Sequence, residues 1–104
     1  MMNIVTISGS RQTGKTTILK DIGRRSIIHG LKVVVFCHNQ DQLKLFLKDL
    51  PEAKGFTSFS KFKSIHANII LIDEVQQFDR HNLYNNIYPI SVLTKGIVYQ
   101  TKNG

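Results

Sequence analysis

The chain has 104 residues, a length that supports one hydrophobic core and predicts a single domain over residues 1–104. Its composition, 41% hydrophobic and 20% charged, excludes a disordered tail, and no apolar run approaches the ~20 residues that cross a bilayer. A net charge of +7 favours a polyanionic partner such as nucleic acid or nucleotide phosphate. The N-terminus has no signal-peptide pattern and the single cysteine cannot form an internal disulfide, so a cytoplasmic protein is expected.

The first half of the chain predicts a strand, a helix and a second strand. The run NIVTIS at 3–8 is rich in β-branched residues, and 16–29 has the pattern of a helix that Gly30 ends. The predicted apolar face of that helix comprises Ile18, Leu19, Ile22 and Ile27. The nearly unbroken apolar run at 31–37 is typical of a strand buried on both faces.

A second helix is predicted to begin at a cap on Asn39 or Asp41 and to end near Asp49, before Pro51. Its predicted buried residues are Leu43, Phe46, Leu47 and Leu50. Within 52–67, the spacing of Phe56, Phe59 and Phe62 favours a helical stripe in the core. The alternative is an aromatic set that stacks on bases, flanked by Lys54, Lys61 and Lys63.

The second half of the chain predicts another strand, a short helix and a final strand. These elements are expected at 68–73, 79–87 and 96–101. Strands that alternate with helices indicate βαβ units, a parallel sheet and right-handed crossovers.

The segment from Gly9 to Thr16 matches the phosphate-loop pattern G-x-x-x-x-G-K-[ST] between a predicted strand and a predicted helix. Its glycines let successive backbone N–H groups point at a phosphate, and the helix directs the positive end of its dipole there. We expect Lys15 to reach the β- and γ-phosphates and the Thr16 hydroxyl to bind Mg²⁺. The residues predicted to bind ATP are Gly9, Ser10, Arg11, Gln12, Thr13, Gly14, Lys15, Thr16 and Thr17.

An acidic pair, Asp73 and Glu74, directly follows the apolar strand at 68–73. Asp73 at the tip of a buried strand is expected to hold Mg²⁺, usually through water. Glu74 is expected to orient and deprotonate the attacking water, which favours hydrolysis over transfer to a bound acceptor. The alternative interpretation of the pair is a helix cap.

Other polar residues give weaker signals. His38 and Asn39 follow the strand at 31–37 on the same sheet edge, where they either sense a nucleotide or partner or form a plain loop. The remaining histidines show no metal-ligand spacing with Cys37, which is expected to be a small core residue.

The loop SRQTGKTT resembles that of large terminase subunits, the DNA-packaging ATPases of tailed phages and herpesviruses. IILIDEVQQF is similar to their magnesium strand with its catalytic Glu, and YPISVLTKGIVYQTKNG is similar to the stretch that leads into their coupling motif. The resemblance implies a Mg-dependent ATPase with Glu74, Lys15 and Arg11 as catalytic residues, Arg11 acting as an arginine finger in cis. It implies coupling roles for Gln100 and Thr101. The implied partners are double-stranded DNA and a homo-oligomeric ring or a portal, in the host cytoplasm if the protein is viral, with no membrane.

The chain departs from the terminase pattern at both ends. It begins at the first strand, without the adenine-binding segment, and it has neither the lid nor the nuclease, so we expect a fragment or a minimal ATPase core and no DNA cleavage. LIDEVQQF and GLKVVVF also resemble thymidine kinases, but one cysteine cannot form their zinc site. A single helicase lobe and a non-catalytic nucleotide-binding regulator of a larger motor are further alternatives.

The terminase resemblance and the Glu after Asp73 imply the fold class. We expect an α/β three-layer P-loop NTPase of the additional-strand type, with a parallel sheet of about four to five strands. The final strand, 96–101, is expected between 3–8 and 68–73, with 31–37 outside the magnesium strand, which gives the order 1-4-3-2. Direct pairing of 3–8 with 68–73 would instead indicate a kinase-type sheet.

Overall fold

Five parallel strands with helices on both faces make up the part of the chain that the computed structural model describes, residues 3–10, 14–58 and 66–103. The strands are β1 (Asn3–Gly9), β2 (Val33–Phe36), β3 (Lys54–Phe56), β4 (Ile69–Ile72) and β5 (Ile97–Asn103). The helices are α1 (Lys15–Ile28), α2 (Gln40–Asp49), a 3₁₀ turn (Val75–Gln77), α3 (Arg80–Asn82), a π-helical turn (Leu83–Ile87) and α4 (Tyr88–Leu93).

The strand order is β1-β5-β4-β2-β3, so β5 lies between β1 and β4. The predicted insertion of the last strand beside the first is therefore confirmed, as is the α/β fold class, and β3 adds a fifth strand at the far edge. Thr6 of β1 pairs with Gln100 of β5, which pairs with Ile72 of β4. In this register β5 ends level with Gly9, where the loop leaves β1, and β4 ends level with Thr6, three residues earlier.

Side chains that alternate along the central strands fill two cores, one on each face of the sheet. One core packs the sheet against α1 and α2, and it includes Leu19, Val35, Phe46, Leu50 and Leu71. The other packs the sheet against the segment from α3 to α4, and it includes Val34, Ile70, Leu83, Ile87 and Val98. Burial of all four residues of β2 and of β4 explains their continuous apolar sequences.

Helix α1 begins one residue earlier than predicted, directly after Gly14, and ends at Ile28. Leu19 is fully buried and Ile22 and Ile27 pack against the same core, but Ile18 is 46% exposed. The prediction of Ile18 on the buried face was wrong, because the helix directs Leu19, Gly23 and Ser26 at the sheet.

Helix α2 is capped as predicted. The Asn39 side chain accepts a hydrogen bond from the Gln42 N–H at 2.9 Å, which satisfies one of the free donors of the first turn. Leu43, Phe46 and Leu50 are buried, and Leu47 is partly buried against the same core.

The segment predicted as a helical stripe contains a strand instead. Lys54–Phe56 pairs in parallel with β2, and the Phe56 ring lies 5.9 Å from that of Phe36. A Cβ on Gly55 would lie 2.6 Å from Leu43 and Leu47 of α2, so a small residue here lets α2 lie directly on the strand. The helical prediction for Phe56 was therefore wrong, and Phe59 and Phe62 lie outside the described residues.

The helix predicted at 79–87 extends to Leu93. Asp79 caps its start by accepting from the His81 N–H, and Leu83–Ile87 forms a π-helical turn before Pro89. Proline lacks an N–H and clashes with the preceding turn, so it usually ends a helix. Here Pro89 lies in the first turn of α4, where a proline needs no N–H partner within the helix, and the π-helical turn leads directly into it.

Within the described ranges, no helix is both long and apolar enough to cross a membrane.

Candidate nucleotide-binding site

The loop between β1 and α1 carries the lysine of the phosphate-loop pattern. Gly14, at φ 77° and ψ 16°, adopts a left-handed conformation that glycine accepts without strain, and α1 begins at the next residue. Lys15 is only 8% exposed, and its Nζ donates to the carbonyl oxygens of Gly9 at 2.8 Å and Ser10 at 2.6 Å. The ammonium group is thus held against the loop. Arg11, Gln12 and Thr13 lie outside the described residues.

The first turn of α1 suits an anion. It contains no acidic residue, and Thr16 and Thr17 lie in it beside the lysine. Backbone N–H groups at a helix N-terminus lack partners within the helix, and the helix dipole adds a partial positive charge there. Together with the Lys15 ammonium, this turn presents donors that match a phosphate.

Two hydroxyl groups converge on one oxygen of Asp73. Thr16 Oγ1 donates to Asp73 Oδ1 at 3.2 Å, and Thr101 Oγ1 donates to the same atom at 3.0 Å. Asp73 is buried, and burial raises the pKa of its carboxyl group, while the bonds from Thr101 and Thr16 act in the opposite direction. The carboxylate is therefore held between α1 and β5, in a position where a cation would stabilise its charged form.

The oxygen atoms of Thr16 and Asp73 fit a magnesium ion, because hydroxyl and carboxylate oxygens are the ligands that Mg²⁺ prefers. No cluster of three or more acidic, histidine or cysteine side chains among residues 3–10, 14–58 and 66–103 could hold a metal by itself. A site with so few protein ligands matches an ion that is shared with substrate phosphates, as Mg²⁺ commonly is.

Glu74 has a strained backbone, with φ 56° and ψ 66°. Residues other than glycine rarely adopt this left-handed conformation, which costs of order 1–3 kcal/mol and is concentrated at functional sites. The Glu74 N–H donates to Thr101 Oγ1 at 2.7 Å, and Asn103 Nδ2 donates to Glu74 Oε1 at 3.3 Å. Its other oxygen, Oε2, lies 4.0 Å from His38 Nδ1. These contacts hold the carboxylate beside Asp73.

Thr101 links the two acidic residues. Its hydroxyl donates to the side chain of Asp73 and accepts from the backbone of Glu74, and the residue is 1% exposed. The side chain of its neighbour Gln100 makes its hydrogen bonds on the opposite face of the sheet. Gln100 Oε1 accepts from the Tyr88 hydroxyl at 2.6 Å, and its Nε2 donates to Thr6 Oγ1 at 3.1 Å.

Sequence reasoning did not assign Asn103 to the site, although it contacts Glu74. The available signal was strand alternation, since residues 101 and 103 of one strand point to the same face.

His38 and Asn39, which the sequence left open between a sensor and a plain loop, have different contacts. His38 lies near Glu74. Asn39 caps α2, and its Nδ2 lies 2.9 Å from His38 Nε2. Cys37 is buried as predicted, and burial, with Asp73 nearby, raises its pKa to about 12.

We expect Thr101→Val to destabilise the protein by about 1–3 kcal/mol, because a buried N–H and a buried carboxylate each lose a partner. Valine keeps the shape of threonine, so the cost isolates the hydroxyl. Urea denaturation of the variant measures it, with Thr57→Val as the control. Thr57 is a partly exposed threonine after the edge strand β3, and its hydroxyl accepts a long bond of 3.4 Å from the Gln40 side chain. Equal midpoints for Thr101→Val and the parent would show that the hydroxyl bridge contributes nothing.

The family of the chain follows from a sequence comparison. The AAA domain family matches residues 2–88, which include the phosphate loop, Asp73 and Glu74. The chain belongs to the AAA domain family. This assignment makes it a P-loop domain of the ATPase-like type. A search of curated protein sequences found no match.

Solved structures share the fold of this AAA domain at low sequence identity. The large terminase ATPase domain of Thermus phage P74-26 superposes with a TM-score of 0.77 at 9% identity, over 96% of this chain and 59% of that one. A DNA replication initiation factor gives 0.69 at 19% identity, and AMPPCP-bound DnaA from Aquifex aeolicus gives 0.66 at 21% identity. For both of these, the match covers 100% of this chain and 33% of the other chain. The AAA domain thus spans between a third and three fifths of these proteins.

Proposed function

We propose that this AAA domain binds ATP and hydrolyses it in a Mg-dependent reaction. The observation that carries the proposal is the convergence of Thr16 and Thr101 on Asp73 Oδ1, beside the buried Lys15 and the constrained Glu74. In this arrangement the lysine can neutralise phosphate charge, and the Thr16 hydroxyl and the Asp73 carboxylate can hold a metal ion. The Glu74 carboxylate lies beside them, where it can activate an attacking water.

Each residue has a proposed role. Lys15 exchanges its bonds to the Gly9 and Ser10 carbonyls for bonds to the β- and γ-phosphates. Thr16 and Asp73 would hold Mg²⁺, which when bound neutralises phosphate charge. Glu74 accepts the proton of the attacking water, and Asn103 orients its carboxylate. Arg11 is proposed to stabilise charge on the γ-phosphate, and the other loop residues from Gly9 to Thr17 to bind the phosphates.

We further propose a DNA-handling motor of the terminase type. The net charge of +7 supports a polyanionic partner, and the fold is shared with a terminase ATPase domain and with a replication initiation factor. Double-stranded DNA, assembly into a ring and docking on a portal are the partner roles that the terminase resemblance implies. In this scheme Gln100 and Thr101 couple the two faces of β5, because their side chains contact different elements.

Lys15→Ala tests the proposed function. We expect ATP affinity to fall roughly 10- to 150-fold, because a charge-assisted hydrogen bond of about 1.5–3 kcal/mol is lost. Calorimetric titration with ATP and Mg²⁺ measures the affinity, and circular dichroism verifies the fold. Lys44→Ala on the exposed side of α2 is the matched control and should bind like the parent. Unchanged affinity in Lys15→Ala would show that the nucleotide does not bind at this loop.

A further inference from the structure

A groove lies on the face of the sheet opposite α1. It has a volume of about 420 Å³, and β1, β5, the 3₁₀ turn and the segment from α3 to the start of α4 line it. Its floor is the polar chain from Tyr88 through Gln100 to Thr6, with bonds of 2.6 and 3.1 Å. A volume within the ~300–1,000 Å³ of ligand clefts accommodates a small ligand or a nucleotide-sized part of a larger one, and it is too small for a duplex.

The charged residues that line this groove are all basic. Arg80 begins α3 and Lys102 lies in β5, and the remaining lining residues are uncharged. Within the described ranges, no carboxylate forms an ion pair with either cation; the pairs found there involve Lys20, Arg24 and His38. The groove therefore presents two positive charges that are available to an anion, and it repels cationic ligands.

Aromatic rings stand beside these charges. Tyr84 is 52% exposed, and the Arg80 guanidinium lies over its ring, 5.8 Å from the centroid. Tyr88 packs against Tyr84 edge to face, with centroids 5.1 Å apart at 88°, which holds the exposed ring in place. The guanidinium covers part of the Tyr84 ring, so a flat ring can stack here on the exposed part of the tyrosine or on the guanidinium plane above it.

We propose that this groove binds a single strand of nucleic acid, with an unpaired base stacked at Tyr84 and phosphates at Arg80 and Lys102. The proposal deepens the DNA partnership under the proposed function. It favours a single strand because the bases of a duplex are already stacked on one another and cannot stack on Tyr84. Duplex DNA offers phosphates alone, so it is the discriminating competitor.

Neighbouring residues of β5 alternate between the groove and the candidate catalytic site. Gln100 and Lys102 line the groove, whereas Thr101 and Asn103 contact Glu74. Alternation along a strand places these two pairs on opposite faces of the same backbone. A strand bound in the groove would therefore contact the element that positions Glu74.

Fluorescence anisotropy with a labelled oligothymidylate, without nucleotide, tests the proposal. We expect Tyr84→Ala to weaken binding about 5- to 100-fold and Tyr84→Phe to bind like the parent, because stacking needs the ring and not the hydroxyl. Arg80→Ala with Lys102→Ala should weaken binding and reduce the slope of log K against log salt by about 0.7 for each cation. Lys44→Ala with Lys48→Ala, on exposed positions of α2, removes equal charge as the control.

Four results would overturn the proposal: no binding by the parent at low salt, equal loss in the control pair, Tyr84→Ala that binds like the parent, or duplex of equal length that competes as well as the single strand. Circular dichroism excludes misfolding, and photo-cross-linking of a bromouracil oligonucleotide to Tyr84 provides a readout on the parent itself. Because the assay contains no ATP and measures strand binding alone, failure here and failure of the proposed ATPase are distinguishable.

Discussion

Glu74→Gln is expected to bind ATP like the parent and to hydrolyse it about 10²- to 10⁴-fold more slowly, the usual contribution of a positioned general base. Glutamine keeps the shape of the side chain, and it can still contact Asn103, but it cannot accept a proton from water. Nucleotide affinity and phosphate release, measured on the same preparation with Mg²⁺ and DNA present, separate the two effects.

Glu52→Gln is the matched control for this substitution, because Glu52 is an exposed carboxylate at the other end of the sheet. It should leave turnover unchanged. If Glu74→Gln hydrolyses ATP at the parental rate, Glu74 is not the base, and its strained backbone must serve another purpose. If binding falls together with turnover, Glu74 contributes to nucleotide affinity instead.

Arg11→Ala is expected to leave ATP affinity within a few-fold and to lower the hydrolysis rate by about 10³-fold or more, the range of arginine fingers. In the proposed scheme Lys15 and Mg²⁺ neutralise the bound phosphates, so a second cation contributes most when charge spreads over the γ-phosphate in the transition state. Arg11→Lys should restore little activity, since an ammonium cannot bridge two oxygens as a guanidinium does. Single-turnover hydrolysis with DNA present measures the effect.

Arg25→Ala, an exposed arginine in the last turn of α1, is the control and should behave like the parent. Equal losses in binding and turnover would make Arg11 a ground-state phosphate ligand. Unchanged kinetics would show that Arg11 takes no part in the reaction.

The elements whose local sequence favours a single structure could be predicted. The continuous apolar runs of β2 and β4, the Asn39 cap and the glycine loop each have one favoured structure, and their alternation predicts a parallel sheet. The insertion of β5 between β1 and β4 came from a family resemblance and was confirmed. The roles of the site residues stay predictions, although Lys15, Thr16, Asp73, Glu74 and Thr101 lie together.

The remaining features depend on tertiary packing that local patterns do not record. Strand β3 has three residues, and it exists because it pairs with β2 beneath α2, which no periodicity of Lys54–Phe56 could indicate. Pro89 predicts a helix end, yet packing of Leu83 and Ile87 into the core carries the helix through a π turn. The Glu74–Asn103 contact joins the residue before the 3₁₀ turn to the end of β5, and it depends on the pairing of β5 beside β4.

Phosphate release from ATP by the parent protein and by Lys15→Ala, measured with Mg²⁺ and DNA present, tests whether this domain is a Mg-dependent ATPase. We expect release by the parent that stops when EDTA removes Mg²⁺ and that falls to background in Lys15→Ala. Release that persists at the parental rate in Lys15→Ala, or ATP binding by the parent without any release, would contradict it.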